Sequence, residues 1–173
     1  FAQERYVDTV FTDSEIMIMA DVEYAQNYDI FASIVDPNVT DPILIPLACD
    51  IYMPDPAIDD VENRPVIFVP AEDNFPRFVN HCWGAKDDLA TTERCMRLAK
   101  MGYVAVAMNT RSGLNALAGS SFGFLRELAR LTLRGALDSR AAARFMRKEV
   151  AENSNPYEVD PDKFVLWGQH LAG

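Results

Sequence analysis

The sequence has little of what defines several classes of protein. It contains 3 cysteines and 2 histidines, without a Cys-x-x-Cys spacing or a paired Cys/His cluster, so it indicates no metal site. No apolar run reaches the roughly 18 residues of a membrane-spanning helix. Basic residues are outnumbered 16 to 26 by acidic ones, for a net charge of -10. Such a surface repels phosphate backbones and argues against nucleic-acid binding.

What the chain does have is ordinary for a folded protein. Hydrophobic residues make up 49% and charged residues 24% of the sequence, which argues against disorder, collagen and coiled coil. A length of 173 residues suits one domain or part of one. The first residue is Phe1 rather than Met, so we expect the native N-terminus to lie upstream.

Strand-like and helix-like segments alternate from residue 64 onwards. Short apolar runs typical of buried strands are separated by segments with helical periodicity. Repeated strand–helix–strand units predict a parallel sheet with helices on its faces. The order is strand 65–69, helix 87–101, strand 103–108, helix 122–151 and strand 163–167.

Three more strands are predicted upstream, where no helical segment intervenes. Residues 15–19 and 21–24 form two of them, and 47–53 (LACDIYM) forms the third. Apolar and polar residues alternate in 47–53, which predicts a strand with one buried face.

The second helical region carries a periodic apolar pattern. Leu133, Leu137, Ala141 and Phe145 recur every four residues and therefore share one face of the helix. Gly135 leaves open a division of the region into two helices.

Seven sequence blocks follow one another along the chain. They are 50–54 (DIYMP), 64–69 (RPVIFV), 98–104 (LAKMGYV), 109–111 (NTR), 138–147 (DSRAAARFMR), 155–163 (NPYEVDPDK) and 167–173 (WGQHLAG). In this order and spacing they resemble the α/β-hydrolase superfamily, in its secreted carboxylesterase and lipase-like branch. The resemblance implies a mostly parallel sheet with flanking helices, seen here as the N-terminal part of one domain and truncated after the nucleophile-elbow strand. Residues 1–46 would be an extension with the first strands, and 47–173 the matching core.

The resemblance places the family's catalytic serine turn at the end of the chain. In the family this turn reads G-x-S-x-G and follows a strand directly. The nucleophile position is held here by His170, and the serine mechanism is therefore expected to be lost. The aligned positions are Gly168, Gln169, His170, Leu171 and Ala172.

A second catalytic element of the family is altered as well. Its oxyanion loop is glycine-rich, so that backbone N–H groups reach the developing negative charge. This chain has Pro70, Ala71, Glu72 and Asp73 there. Pro70 has no N–H to donate, and ionised Glu72 and Asp73 would oppose an oxyanion.

A literal G-x-S-x-G match at 119–123 offers another serine, Ser121. It lies in a Gly/Ser-rich loop rather than directly after a buried strand, so a role in starting the next helix is the simpler interpretation. That helix is rich in arginine, which suggests either an acidic partner or a solvated face. The arginines are Arg126, Arg130, Arg134, Arg140, Arg144 and Arg147.

Cys82 and Cys95 are separated by 12 residues and would close a small loop if the protein is exported. Two free and partly buried thiols are the alternative. The resemblance to secreted relatives implies an extracellular or periplasmic location.

These features predict a catalytically inactive carboxylesterase-like protein that serves as a binding, scaffold or assembly component without a cofactor. Its sheet would be completed by a protein partner or by an unseen C-terminal half, because a chain ending at Gly173 leaves the strand 163–167 with an unpaired edge and an uncovered apolar face. The family's acid and histidine follow the nucleophile and would also lie beyond Gly173. The alternative is an active carboxylic ester hydrolase, with Ser121 as an unorthodox nucleophile or with catalytic residues beyond Gly173.

Overall fold

The computed structural model describes residues 4–29, 43–71, 86–111 and 121–168. Within these ranges the chain is an α/β protein with a five-stranded sheet and two α-helices. A 3-10 turn at Asp13–Glu15 precedes the first strand. The strands are β1 (Ile16–Asp29), β2 (Ile43–Pro54), β3 (Arg64–Pro70), β4 (Val104–Met108) and β5 (Val159–Leu166), and the helices are α1 (Leu89–Lys100) and α2 (Ser121–Glu152).

The sheet is mixed, so the expectation of a mostly parallel sheet was wrong. The strand order is β1-β2-β4-β3-β5. β3 pairs in parallel with both β4 and β5. The strand–helix–strand units predicted this parallel orientation but not which strands are neighbours. β1 with β2, and β2 with β4, are antiparallel. The expectation rested on the strand–helix–strand units after residue 64, whereas both antiparallel pairs involve the upstream strand β2.

The two central strands β3 and β4 are buried on both faces of the sheet, as their uninterrupted apolar runs predicted. On one face Val66, Phe68 and Val106 pack with Ala142 and Met146 of α2. On the other face the cluster contains Val69, Ala105 and Ala107 together with the α1 residues Cys95, Leu98 and Ala99.

Helix α2 is continuous over 32 residues, and Gly135 does not divide it. A Cβ at Gly135 would meet nothing within 4 Å outside the helix's own backbone. The sheet-facing side includes Leu131, Ala142 and Met146. Leu133 and Leu137, which shared one face in the sequence pattern, are 60% and 44% exposed. The side of α2 that packs on the sheet is therefore not the side that carries Leu133 and Leu137.

Strand β5 is partly open to solvent, although its apolar run predicted a buried strand. Among the described residues it pairs only with β3. Val165 is 52%, Leu166 48% and Trp167 43% exposed. Phe164 is better covered because its ring packs edge-on against Phe68, with 5.4 Å between the ring centroids. Within the described residues β5 lies at an edge of the sheet, so one side of the strand has no neighbouring strand beside its side chains.

A buried arginine joins several segments at the amino end of β3. Arg64 is fully buried and ion-pairs with the carboxylate of Glu158 and with Oδ2 of Asp59, the latter at 2.9 Å. Arg5 donates two hydrogen bonds of 2.9 and 2.6 Å to the same Asp59 carboxylate. We call Arg5, Asp59, Arg64 and Glu158 the amino-end clasp. Burial by itself raises the pKa of Asp59, but hydrogen bonds from the two guanidinium groups outweigh it and lower the pKa.

Candidate functional site at the carboxyl ends of the parallel strands

The three parallel strands end at the same edge of the sheet. Pro70 of β3 pairs with Met108 of β4, and Phe68 pairs with Leu166 of β5. In α/β sheets, ligands bind at the carboxyl ends of the strands, where loops and helix N-termini meet. This edge is therefore the candidate site.

Asn109 is the polar centre of the edge, directly after β4. Its N–H donates to the carbonyl of Ala48 at 3.0 Å, and its own carbonyl accepts a hydrogen bond from the Tyr24 hydroxyl. Its side-chain Oδ1 accepts the N–H of Lys86 at 2.8 Å. Asn109 thus links β1, β2 and the segment before α1 to the end of β4.

An ion-pair cluster lies on one side of Asn109. The Nζ of Lys86 is 2.7 Å from Oδ1 of Asp50 and 2.9 Å from Oδ1 of Asp21. The backbone N–H of Asp21, at a bulge in β1, also donates to Oδ1 of Asp50 at 2.8 Å. Burial alone would lower the pKa of Lys86, but its hydrogen bonds to the two carboxylates raise the pKa. Lys86 is therefore held as an ammonium ion.

A second ion pair lies on the α2 side of the sheet. Asp138 of α2 is fully buried and accepts hydrogen bonds from the backbone and the guanidinium of Arg111. The backbone N–H of Arg111 lies 2.8 Å from Oδ2, and its NH2 lies 2.7 Å from Oδ1. This two-pronged pairing fixes the chain after β4 against the middle of α2.

The predicted oxyanion loop begins inside the described structure. Pro70 is the last residue of β3, and Ala71 is 2% exposed. The N–H of Ala71 donates to the carbonyl of Met108 at 3.0 Å, so it already has an acceptor within the sheet. Neither position therefore offers a backbone donor to a substrate. Glu72 and Asp73 lie outside the described residues.

The predicted nucleophile turn follows β5. The N–H of Trp167 donates to the carbonyl of Phe68 at 2.8 Å, which continues the strand pairing up to the residue before Gly168. Gly168 is exposed at the carboxyl end of the strand. Gln169, His170, Leu171 and Ala172 lie outside the described residues, so the turn itself stays a prediction.

Ser121 is the first residue of α2 and is exposed. The last strand described before Ser121 is β4, which ends at Met108, and residues 112–120 lie outside the described residues. The place of Ser121 at the start of a long helix favours the interpretation that it belongs to the beginning of that helix.

The described thiols are held in the neutral form. Cys49 and Cys95 are free and buried, and burial raises the pKa of each to about 12. Neither is therefore a ready nucleophile near neutral pH. The predicted disulfide would join Cys95, which is free in this structure, to Cys82, which lies outside the described residues.

Two further findings concern only the described part of the chain. No group of three or more His, Cys, Asp and Glu side chains is placed to hold a metal ion there. Neither α1 nor α2 is long and apolar enough to cross a membrane.

In the described part of the edge, the charged side chains pair with one another rather than standing free. Its charged groups Lys86, Asp50, Arg111 and Asp138 are all engaged in ion pairs. Arg111 and Asp138 belong to separate sequence blocks, and their pairing was not predicted. Lys86 was not predicted as a residue of this edge. The sequence signal that could have predicted the ion pair of Lys86 is Asp50, an acidic residue in a strand whose neighbouring residues are buried. A buried carboxylate needs a partner of opposite charge.

Comparison with known proteins adds little. No family model and no curated protein matches this chain. A solved structure described as a truncated form of a carbohydrate esterase from gut microbiota is similar, with a TM-score of 0.42 and 15% sequence identity. The similarity covers 94% of this chain and 41% of that one, so this chain spans less than half the length of that structure.

Proposed function

We propose that the chain is a carboxylesterase-like α/β-hydrolase protein that lacks hydrolase activity and acts as a binding, scaffold or assembly component. The observation that carries the proposal is the end of β3. Pro70 has no N–H, and the N–H of Ala71 is bonded to Met108. In hydrolases the backbone donors of this region stabilise the oxyanion, and the loss of one donor costs about 3–4 kcal/mol of transition-state stabilisation.

The nucleophile position supports the same proposal independently. His170 stands where the family pattern has serine. An imidazole that attacks an ester forms a reactive acyl-imidazole and needs a different base geometry from serine. Loss of both elements is expected in a protein that no longer requires hydrolysis.

The partner in this proposal meets the open edge of β5. Val165, Leu166 and Trp167 are about half exposed, and unpaired strand edges accept further strands. The strand that completes the sheet would come from a protein partner or from residues beyond Gly173. Export of the protein, which the resemblance implies, also belongs to this proposal.

Turnover of short-chain p-nitrophenyl esters tests the lack of activity. We expect no turnover above that of the heat-denatured protein. His170→Ser should not restore activity, because the donors at Pro70 and Ala71 stay absent. Robust turnover by the wild type that disappears in His170→Ala would overturn the proposal.

The alternative nucleophile Ser121 is exposed at the start of α2, and this accessibility makes the alternative testable in the same preparation. A fluorophosphonate probe followed by peptide mass spectrometry would label an activated serine. We expect Ser121 to stay unlabelled, with Ser121→Ala as the matched control. Labelling at Ser121 together with ester turnover would establish an active hydrolase instead.

A further inference from the structure

Helix α2 differs in charge from the rest of the chain. Between Ser121 and Glu152 there are 7 basic and 4 acidic residues, a net charge of +3. The whole chain carries -10, so the remainder carries -13. The helix is therefore a basic element on an acidic protein.

The solvent-facing side of the first half of α2 is apolar. Phe122 is 80%, Leu125 60%, Leu133 60% and Leu137 44% exposed. Their spacing places them on the side opposite to Leu131 and the other residues that face the sheet. They form a ridge over four turns, which we call the α2 ridge.

The charges beside the α2 ridge are of one sign. Arg126, Arg130 and Arg140 are exposed. The two acidic residues in the same stretch, Glu127 and Asp138, are buried. Asp138 pairs with Arg111. Glu127 pairs with Arg130 at 2.6 Å and with Arg126 at 3.9 Å. One carboxylate is therefore shared by two exposed arginines, and the exposed charge of the stretch stays positive. An approaching surface therefore meets apolar side chains and guanidinium groups.

We propose that the α2 ridge binds an anionic lipid surface, with the helix lying in the plane of the interface. Helices that do this combine an apolar stripe of Phe and Leu with flanking Lys and Arg. The stretch from Ser121 to Arg140 is about 30 Å long at 1.5 Å per residue. The apolar side chains enter the acyl boundary, and the arginines stay at the level of the lipid phosphates.

Shape and charge favour this occupant over a second copy of the chain or a protein helix. Two copies meeting ridge to ridge would bring the Arg126, Arg130 and Arg140 sets together, which repel each other. A convex ridge on a single helix fits a flat interface, whereas a protein partner would need a matching groove. The rest of the chain carries a charge of -13, so an anionic lipid surface repels its other faces. This repulsion favours the orientation in which α2 faces the lipid.

Vesicle flotation tests the proposal with the full chain. Vesicles of phosphatidylcholine alone are compared with vesicles containing about 30% phosphatidylserine, at about 50 and 300 mM salt. We expect binding to the anionic vesicles at least about tenfold stronger than to the neutral ones, and weaker at the higher salt.

Two matched pairs of variants locate the binding face. The triple variant Phe122→Ala/Leu125→Ala/Leu133→Ala should weaken vesicle binding about tenfold or more. Its control, Ile58→Ala/Leu89→Ala, removes exposed apolar side chains outside the α2 ridge and should leave vesicle binding unchanged. Arg140→Glu and Arg97→Glu change the net charge equally, and both residues are exposed. Only Arg140→Glu should weaken binding, and unchanged circular dichroism confirms that the variants are folded.

Three results would overturn the proposal. One is the absence of binding to anionic vesicles. Another is an equal effect of Arg97→Glu and Arg140→Glu, which would mean that overall charge rather than the α2 ridge governs binding. The third is a change of oligomeric state in the ridge variants without loss of vesicle binding, since the ridge would then be covered by another copy.

Discussion

The two ends of the sheet are both held by ion pairs, but in different ways. At the amino end, Arg64 joins two carboxylates, and Arg5 shares one of them. At the carboxyl end, Lys86 with Asp50 and Arg111 with Asp138 form separate pairs on opposite sides of the sheet. The amino end therefore depends on one buried cation, whereas the carboxyl end is held at two independent points around Asn109.

This difference has a consequence for function. Loss of the central cation at the amino end releases several segments together. The carboxyl end keeps one anchor if the other is removed, so the chain segments on its two sides are positioned separately. In a binding site at this edge, a substitution in one ion pair would therefore displace the residues on its own side and leave the other side in place.

Removal of the central arginine should have the largest effect. Arg64→Leu leaves Asp59 and Glu158 without their buried partner, and we expect a loss of about 3–5 kcal/mol in the free energy of unfolding. Urea denaturation measures it. Arg97→Leu, at an exposed arginine on α1, is the control and should change stability by less than about 0.5 kcal/mol. Similar values for the two variants would contradict the central role of Arg64.

Breaking one anchor at the carboxyl end should cost less. Asp138→Asn keeps the size of the side chain but removes the charge that faces Arg111, and we expect a loss of about 2–3 kcal/mol. The double variant with Lys86→Gln should show additive losses in urea denaturation, because the two pairs share no residue. Strong non-additivity would show that the two anchors are coupled.

Acid should weaken the amino-end clasp. The pKa of Asp59 is lowered from its usual 3.8, so its contribution is fully present above pH 3.8 and is lost as the pH falls through the folded-state pKa. The stability difference between the wild type and Asp59→Asn should therefore shrink below pH 3.8. Urea midpoints between about pH 6 and pH 3 measure this difference. A constant difference across that range would argue against the shift.

The Lys86 anchor should respond to alkali instead. The pKa of Lys86 is raised from its usual 10.5, so its contribution is fully present below pH 10.5 and is lost as the pH rises through the folded-state pKa. Compared with Lys86→Gln, the wild type should lose its advantage only above pH 10.5. Thermal unfolding at about pH 8 and pH 11 measures this loss. A loss already complete at the lower value would contradict the predicted direction.

A reference substitution outside both ends should have the smallest effect. Gly135→Ala adds a Cβ that meets nothing within 4 Å and removes a helix-breaking residue, so we expect stabilisation by about 0.5–1 kcal/mol. Thermal unfolding measures it. A destabilised variant would indicate a contact that the structure does not place at Gly135.

The sequence patterns predicted much of the fold but few of the ion pairs that hold the candidate site. They predicted β3, β4, both helices and the parallel orientation of β3, β4 and β5, but not which of these strands are neighbours. They did not predict the two antiparallel pairs, because strand pairing depends on connections as well as on local pattern. Arg111 and Asp138 lie in blocks far apart in the chain. Their pairing could not be predicted, because a long-range ion pair produces no local periodicity in the sequence.

The order of strands and helices, the net charge of -10 and the identities of Pro70 and His170 were determined by the sequence alone. Only the tertiary structure decided which side of α2 meets the sheet and which strand lies at its edge. The physical reason is that periodicity shows which residues share a face, but not which face is buried. That choice depends on how well each face packs against elements distant in the chain, and here it left the α2 ridge and β5 exposed.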